Sequence, residues 1–200
     1  MLNNKKLIVY FVIAFLIPLA GFSQASHQQF FEKSLQTQNT GMYILGSWAL
    51  LNITTGAYGW KNYSGSQKYF NQMNLFWNTI NLSIAGIALY NNYHSNFSLL
   101  SRAEVLANHT RVERLFLINS GLDVVYIGAG FLLKHFSVKY PDKTNLFTGY
   151  GNSVILQGGF LLLFDAVWYG IMRSQRLSFL TLGDVSIIPS PTGLYLSLMF

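Results

Sequence analysis

The 200-residue chain is 51% hydrophobic and only 10% charged, against roughly 25% charged residues in a typical soluble domain. It contains no cysteine, which excludes disulfides, thiolate metal sites and cysteine nucleophiles. The net charge of +6 comes from basic residues at the ends of apolar runs. Because they form no single patch, they indicate membrane flanks and not nucleic-acid binding.

The first residues have the pattern of a secretory signal sequence. Lys5 and Lys6 precede a long apolar run, and small residues follow near Ser23. This order predicts a signal peptide over residues 1–24, with an uncleaved signal anchor as the alternative. Either form places the start of the next segment outside the cytoplasm.

Four apolar stretches with almost no charge follow the signal segment. Each has about the length that an α-helix needs to cross the bilayer core. They lie at about 41–60, 70–90, 115–134 and 149–172. We therefore expect an all-α membrane protein of the inner membrane, with a multi-pass four-helix transmembrane bundle over residues 25–176.

Nine residues of the first span resemble nine residues of the third. The two stretches read LNITTGAYG at 51–59 and LDVVYIGAG at 122–130. Their alignment superposes Asn52 on Asp123, and the matching polar positions share one helix face. This match indicates a parallel duplication of a helical hairpin, unless small and aromatic residues recur here by chance.

The second span carries a stripe of asparagines. They are spaced 3, 4 and 3 residues apart and so lie along one helix face: Asn71, Asn74, Asn78 and Asn81. An unpaired amide in lipid costs several kcal/mol, so the stripe should face the bundle interior. The stripe is then either a set of interhelical hydrogen bonds that fixes the bundle or the wall of a hydrated path.

The connection before the third span contains a helix-start signal. Ser101 is followed three residues later by Glu104, the spacing of a capping box. One helix should start here and continue through the third span until Pro141 ends it. His109 and Glu113 share a face of this helix, but we find no third ligand for zinc, so a solvated charged face is the prediction.

Two carboxylates lie within the spans. Asp123 and Asp165 are predicted about 10 to 12 Å below the outer ends of their helices, and therefore level with each other. If they meet, a low dielectric prevents both from remaining ionised, so they would share a proton or hold a cation. The alternative is that each is a fixed internal hydrogen-bonding group. With asparagines at similar depth they predict one intramembrane polar layer: Asn52, Asn78, Asn81, Asn119, Asp123 and Asp165.

The chain changes character after Arg176. Alternating residues run from Leu194 to Phe200, and a turn rich in proline and glycine precedes them. The pattern predicts a β-hairpin-like periplasmic tail over residues 177–200. A terminal phenylalanine after alternation also resembles the last strand of an outer-membrane barrel, but the rest of the chain lacks the repeated alternation of a barrel.

The chain resembles a family of small integral membrane proteins from Bacteroidota whose function is uncharacterised. The resemblance is carried by the segments GMYILGSWALLNITTGAYGW, FNQMNLFWNTINLSIAGIALY, INSGLDVVYIGAGFLL and GYGNSVILQGGFLLLFDAVWYG. It covers most of the chain after the signal and implies a four-helix membrane unit with a short C-terminal extension. It implies no activity and no functional residues.

No enzyme signature stands out. There is no Gly-x-Ser-x-Gly elbow and no phosphate-binding loop, and no two histidines pair at mid-membrane depth to hold a haem. We therefore expect no catalytic residues, no metal and no cofactor. The sequence favours a non-enzymatic structural or interaction protein that contacts the lipid bilayer and a protein partner or a second copy of itself. The alternative is a small proton- or cation-handling transporter or channel.

Overall fold

The computed structural model describes residues 4–96, 100–183, 185–190 and 193–198, and the side chains of residues 27–96 and 100–181. Within these residues the chain is almost entirely helical, which confirms the expected all-α class. The helices are α1 (Asn4–Asn62), α2 (Gly65–Tyr93), α3 (Arg102–Lys139) and α4 (Thr144–Gly183). A short 3-10 helix, Pro141–Lys143, connects α3 to α4.

Helix α1 includes both the predicted signal segment and the first predicted span. Its backbone is helical from Asn4 to Asn62, so the helix does not end between these two segments. Residues 1–3 of the predicted signal lie outside the described residues.

Helix α4 is longer than the fourth predicted span. It continues to Gly183, because the residues after Arg176 are helix-compatible until that glycine, which suits a helix end. The backbone beyond it forms two antiparallel strands, β1 (Val185–Ser190) and β2 (Gly193–Leu198). The predicted tail is thus helical as far as Gly183. Its residues 184, 191–192 and 199–200 lie outside the described residues.

The start and end of α3 follow from local chemistry. The Ser101 hydroxyl accepts a hydrogen bond from the Glu104 backbone N–H, and the Glu104 carboxylate accepts one from the Ser101 backbone N–H at 2.7 Å. This is the predicted capping box. The helix ends at Lys139 because Pro141 disfavours helical backbone in the residue before it.

The bundle consists of two helical hairpins. Helix α1 packs along α2 and α3 packs along α4, whereas α2 and α4 join the two hairpins. Helices α2 and α3 scarcely touch. Gly59 and Gly130, which the sequence repeat aligns, each lie at the contact inside their own hairpin, against Asn71 and Gly151 respectively.

The bundle has polar groups inside and large apolar groups outside. Asn78, Ser153 and Gln157 have no exposed surface, whereas outward-facing residues such as Ile80 and Leu163 are 63% and 71% exposed. An apolar part of the interior centres on Phe116, Phe164 and neighbouring aliphatic side chains. Within the described residues, the segments Arg102–Lys139 and Pro141–Thr181 are long and apolar enough to cross a membrane.

Candidate functional site

Gln157 is the hub of a buried hydrogen-bond network between three helices. Its side-chain oxygen accepts a hydrogen bond from the Trp48 indole N–H at 2.9 Å. Its amide nitrogen donates to Oδ1 of Asn52 at 3.2 Å and to Oδ1 of Asn74 at 2.9 Å. The Ser153 hydroxyl also donates to Oδ1 of Asn74, at 2.6 Å. We call these five residues the amide network; it ties α4 to α1 and α2.

The asparagine stripe of α2 faces the interior along its whole length. All four of its asparagines are buried: Asn71, Asn74, Asn78 and Asn81. Asn78 donates to the Asn74 backbone oxygen of its own helix at 2.8 Å, and Asn81 donates to Oδ1 of Asn78 at 3.4 Å. Of the stripe, Asn74 takes part directly in the amide network, so the other three contribute less to holding the helices together.

The two aspartates of the predicted spans lie side by side between α3 and α4. Asp123 is 2% exposed and Asp165 is 5% exposed, and their carboxyl groups are close enough to form a hydrogen bond with each other. Such a bond requires that one of the two carries a proton. Among the described residues, the buried Oδ2 of Asp123 has no hydrogen-bond partner. We call these residues the acid pair.

A glycine brings the helices of the acid pair together. A Cβ atom added to Gly158 of α4 would lie 3.2 Å from the backbone oxygen of Asp123 and 2.9 Å from the Ile127 side chain. The neighbouring Gly159 has open space around it. The sequence indicates this close approach, because Gly151 and Gly158 lie seven residues apart on the face of α4 that also carries Asp165.

A cavity of about 350 Å³ opens beside the acid pair. It occupies the gap between α2 and α3, and its walls are mainly apolar, with Asn81, Asn119 and the acid pair as polar groups. On the side of the cavity that faces the α1–α2 and α3–α4 connections, the rings of Trp77 and Tyr126 meet edge to face, with centroids 4.9 Å apart. This contact joins α2 to α3 at that end of the cavity.

A second cavity, of about 410 Å³, adjoins the first toward the α2–α3 connection. The two cavities have side chains in common, among them Phe116 and Asn119. The second cavity has more polar walls, which include Gln38, Asn92 and Asn108. The acid pair is therefore approached from the predicted outer end of the bundle through increasingly apolar surroundings.

The predicted polar layer divides into two parts. Asn52 and Asn78 lie with the buried amides, whereas Asn81 lines the cavity of the acid pair. Asn119 is exposed and contributes to the cavity wall, so it is not part of a buried layer. The reason is that α2 and α3 scarcely touch, which leaves the Asn119 side of α3 uncovered.

Sequence reasoning missed the hub of the amide network. Ser153, Gln157 and Asp165 follow one another at spacings of four and eight residues, so they share a helix face. That spacing was a signal for buried partners, because Ser153 and Gln157 interrupt an otherwise apolar or glycine-rich stretch. Trp48 gave no signal, since interfacial tryptophans are common in membrane helices.

The prediction that His109 and Glu113 form a solvated charged face is wrong. His109 is 1% exposed and Glu113 is 5% exposed. The imidazole contacts the Ser34 hydroxyl and the Met172 backbone oxygen, each at 2.8 Å. Because a carbonyl only accepts, Nε2 carries the hydrogen and Nδ1 accepts from Ser34. Glu113 accepts two hydrogen bonds from the Arg176 guanidinium, at 2.6 and 3.1 Å.

These groups do not form a metal centre. Within the described residues, no three histidine or acidic side chains come together as metal ligands. The acid pair offers two carboxylates, which suffice for a proton or a singly charged group but fall short of the ligand set of a divalent ion such as calcium.

Comparison with known proteins relates the chain to one family. A search of curated proteins and a search of solved structures found no match. The model of a family of unknown function, DUF6992, matches residues 44–166. This range includes the amide network and the acid pair and covers more than half of the chain. The chain therefore belongs to the family of unknown function DUF6992.

Proposed function

We propose that the protein is a multi-pass protein of the inner membrane, with four spans formed by α1 to α4. The arrangement of polar groups inside and large apolar side chains outside supports this proposal, because lipid replaces water around the bundle. Two segments with the length and hydropathy of membrane spans add support. The signal-like start and the resemblance to membrane proteins from Bacteroidota agree with the same location.

Within that membrane bundle, the proposed function is the handling of a proton or a cation by the acid pair. The observation that carries the proposal is a pair of buried carboxyls that lie side by side and face a cavity. A protein interior disfavours two negative charges, so the pair must take up a proton or another positive charge. No lysine or arginine among the described residues lines this cavity, so the compensating charge comes from outside the protein.

The surroundings of the acid pair support access of the ion from one end of the bundle. The polar second cavity leads toward it from the α2–α3 connection, while Trp77 and Tyr126 narrow the opposite end. Transport would then require that this aromatic contact opens. Binding without opening would make the protein a sensor or a buffer of the same ion, with the same acid pair as its site.

The proposal is tested by flux measurements on the full-length protein in liposomes under an imposed proton or sodium gradient. Asp165→Asn and Asp123→Asn should reduce the flux to that of empty liposomes, because each removes one ionisable carboxyl while keeping the side-chain size. Asp142→Asn, in the exposed 3-10 turn, is the matched control and should retain the flux. Flux that is unchanged in both acid-pair variants would contradict the proposal.

A structural or interaction role is a second candidate, and the amide network favours it. Its buried hydrogen bonds fix the register of three helices and require no ligand. The extended outer part of α3 and the C-terminal hairpin would then contact a protein partner or a second copy. A chain that ends at Gly183 tests this role, since it keeps Phe179, whose ring stacks on Phe30 at 4.1 Å. Retention of every co-purifying partner by this shortened chain would argue against docking through the hairpin.

A further inference from the structure

The cavity beside the acid pair is larger than a proton or a metal ion needs. Its volume of about 350 Å³ lies in the range of sites that hold small organic molecules, about 300 to 1,000 Å³. Most of its wall is formed by apolar and aromatic side chains, including Leu45, Phe116 and Leu161. A hydrated ion gains little from such a wall, whereas an apolar chain gains free energy by leaving water.

The charged end of the cavity selects for a cation. When its two carboxyls share one proton, the acid pair retains one negative charge. No group among the described residues pairs with the buried Oδ2 of Asp123. The rings of Trp77, Tyr126 and Phe164 also line this space. Aromatic faces attract an ammonium group within about 6 Å, so they reinforce the charge preference.

The position of the basic residue that lines the second cavity argues against a short zwitterion. Arg111 lines the second cavity and not the first. It precedes Asp123 by twelve residues on α3, which corresponds to about 18 Å along the helix. A small molecule that contacts the acid pair therefore cannot place a carboxylate against Arg111.

We propose that the cavity binds a small organic cation with a primary ammonium group on an apolar chain, the ammonium against the acid pair and the chain between α2 and α3. This inference rests on the proposed function, since it names the cation that the acid pair would hold. The gap between α2 and α3 is bordered by exposed apolar residues such as Ile80 and Leu122. A ligand with an apolar chain could thus enter from the bilayer as well as from the outer cavity.

The test is protection of the acid pair against a hydrophobic carbodiimide, which modifies protonated carboxyls in apolar surroundings. The full-length protein in micelles is labelled and the modified aspartate is identified by mass spectrometry. Hexylammonium chloride should slow the labelling, whereas sodium chloride and uncharged hexanol at the same concentration should not. Protection should strengthen about fourfold for each methylene added between butylammonium and hexylammonium, as burial of apolar surface predicts.

The possible outcomes separate this inference from the proposed function. Protection by sodium but not by hexylammonium overturns the organic ligand and leaves cation handling in place. Equal protection by hexanol and hexylammonium overturns recognition of the charge. An acid pair that is never labelled, together with liposomes that show no flux, overturns both the inference and the proposed function.

Two matched variants test whether the cavity holds the chain of the ligand. Ile84 and Ile87 are both exposed on α2, but Ile84 lines the cavity whereas Ile87 lines neither cavity. Ile84→Trp should fill the space and weaken calorimetric binding of hexylammonium by about tenfold, a difference of about 1.4 kcal/mol. Ile87→Trp should leave binding unchanged. Equal effects of the two substitutions would place the ligand elsewhere.

Discussion

The amide network and the acid pair are both buried polar sites, but they differ in how completely their groups are paired. In the amide network, Gln157 uses both its oxygen and its nitrogen in hydrogen bonds to other helices. In the acid pair, two carboxyls have mainly each other, next to an open cavity. A buried polar group that makes all its hydrogen bonds within the protein stabilises the bundle. A buried polar group without such hydrogen bonds needs a partner from outside the protein.

The sequence repeat makes this contrast sharper, because it aligns Asn52 with Asp123. Both residues are buried at equivalent places in the two helical hairpins. Asn52 donates to the Trp48 backbone oxygen at 2.9 Å and accepts from Gln157 at 3.2 Å. Asp123 instead adds an ionisable group at the equivalent position. One hairpin therefore carries a neutral structural amide where the other carries a group that can exchange a proton.

Removal of the hub of the amide network should have the largest effect on stability. Gln157→Leu leaves the Trp48 indole N–H without its partner, and it removes the donor that Asn52 and Asn74 accept from. We expect a loss of about 2 to 3 kcal/mol in the free energy of unfolding, since interhelical hydrogen bonds in membrane bundles contribute about 0.6 to 2 kcal/mol each. Reversible unfolding by sodium dodecyl sulfate in mixed micelles measures this change.

The matched control for that variant is Gln67→Leu. Gln67 is exposed near the start of α2, so the same replacement should change stability by about 0.5 kcal/mol or less. Carbodiimide labelling of the acid pair should survive in folded Gln157→Leu protein, because the hub lies outside the cavity. If Gln157→Leu and Gln67→Leu destabilise the protein equally, the amide network does not hold the helices together.

A methyl group between α3 and α4 should have the next largest effect. Gly158→Ala places a Cβ against the backbone of Asp123 and the Ile127 side chain. Gly159→Ala places the same atom in open space. Each substitution gains up to about 1 kcal/mol of stability from the higher helix propensity of alanine. In Gly158→Ala, however, the helices must separate, so we expect a net loss of about 1 to 2 kcal/mol in the free energy of unfolding.

This pair of alanine variants also reports on the geometry of the acid pair. Separation of α3 from α4 moves Asp123 away from Asp165, so Gly158→Ala should lower ion flux together with stability. Gly159→Ala should be neutral or slightly stabilising in the same unfolding assay and should keep the flux. Flux that is normal in Gly158→Ala protein would mean that the two carboxyls work without close contact.

The parts of the structure that the sequence predicts are those set by spacing along one helix. The asparagine stripe, the capping box at Ser101 and the end of α3 before Pro141 all depend on local periodicity or local backbone chemistry. The close approach at Gly158 also follows from heptad spacing on one face of α4. Such features require no knowledge of how the helices are rotated.

The parts that the sequence did not predict depend on contacts between distant residues. The buried side chain of His109 is hydrogen-bonded to Ser34, 75 positions away in the sequence. That of Glu113 is hydrogen-bonded to Arg176, 63 positions away. Their i, i+4 spacing is the same on a solvated face and on a packed one, so the pattern alone gave the wrong answer. The division of the polar layer likewise depends on the gap between α2 and α3, which no local pattern in either helix encodes.

A smaller effect is expected from an amide that lies beside the network. The Asn78 side chain donates only to the backbone of its own helix, and accepts from Asn81 at a long 3.4 Å. Asn78→Leu removes no hydrogen bond between helices, so it should cost about 1 kcal/mol or less in the same unfolding assay. A loss as large as that of Gln157→Leu would show that burial of amides in general, and not the links to Gln157, stabilises the bundle.

The smallest change in stability should come from the acid pair itself. Asp165→Asn keeps the size of the side chain and gives Asp123 an amide N–H as a permanent donor, so the bundle no longer needs a shared proton. We expect the free energy of unfolding to change by about 0.5 kcal/mol or less, or to rise slightly, because one ionisable group has been replaced by a neutral hydrogen-bonding one. Carbodiimide labelling at position 165 and the ion flux should nevertheless be lost. A substitution in the amide network would then lower stability, whereas one in the acid pair would abolish the flux and leave stability nearly unchanged. If Asp165→Asn instead unfolds as readily as Gln157→Leu, the acid pair is a structural contact like the amide network, and the functional distinction between them fails.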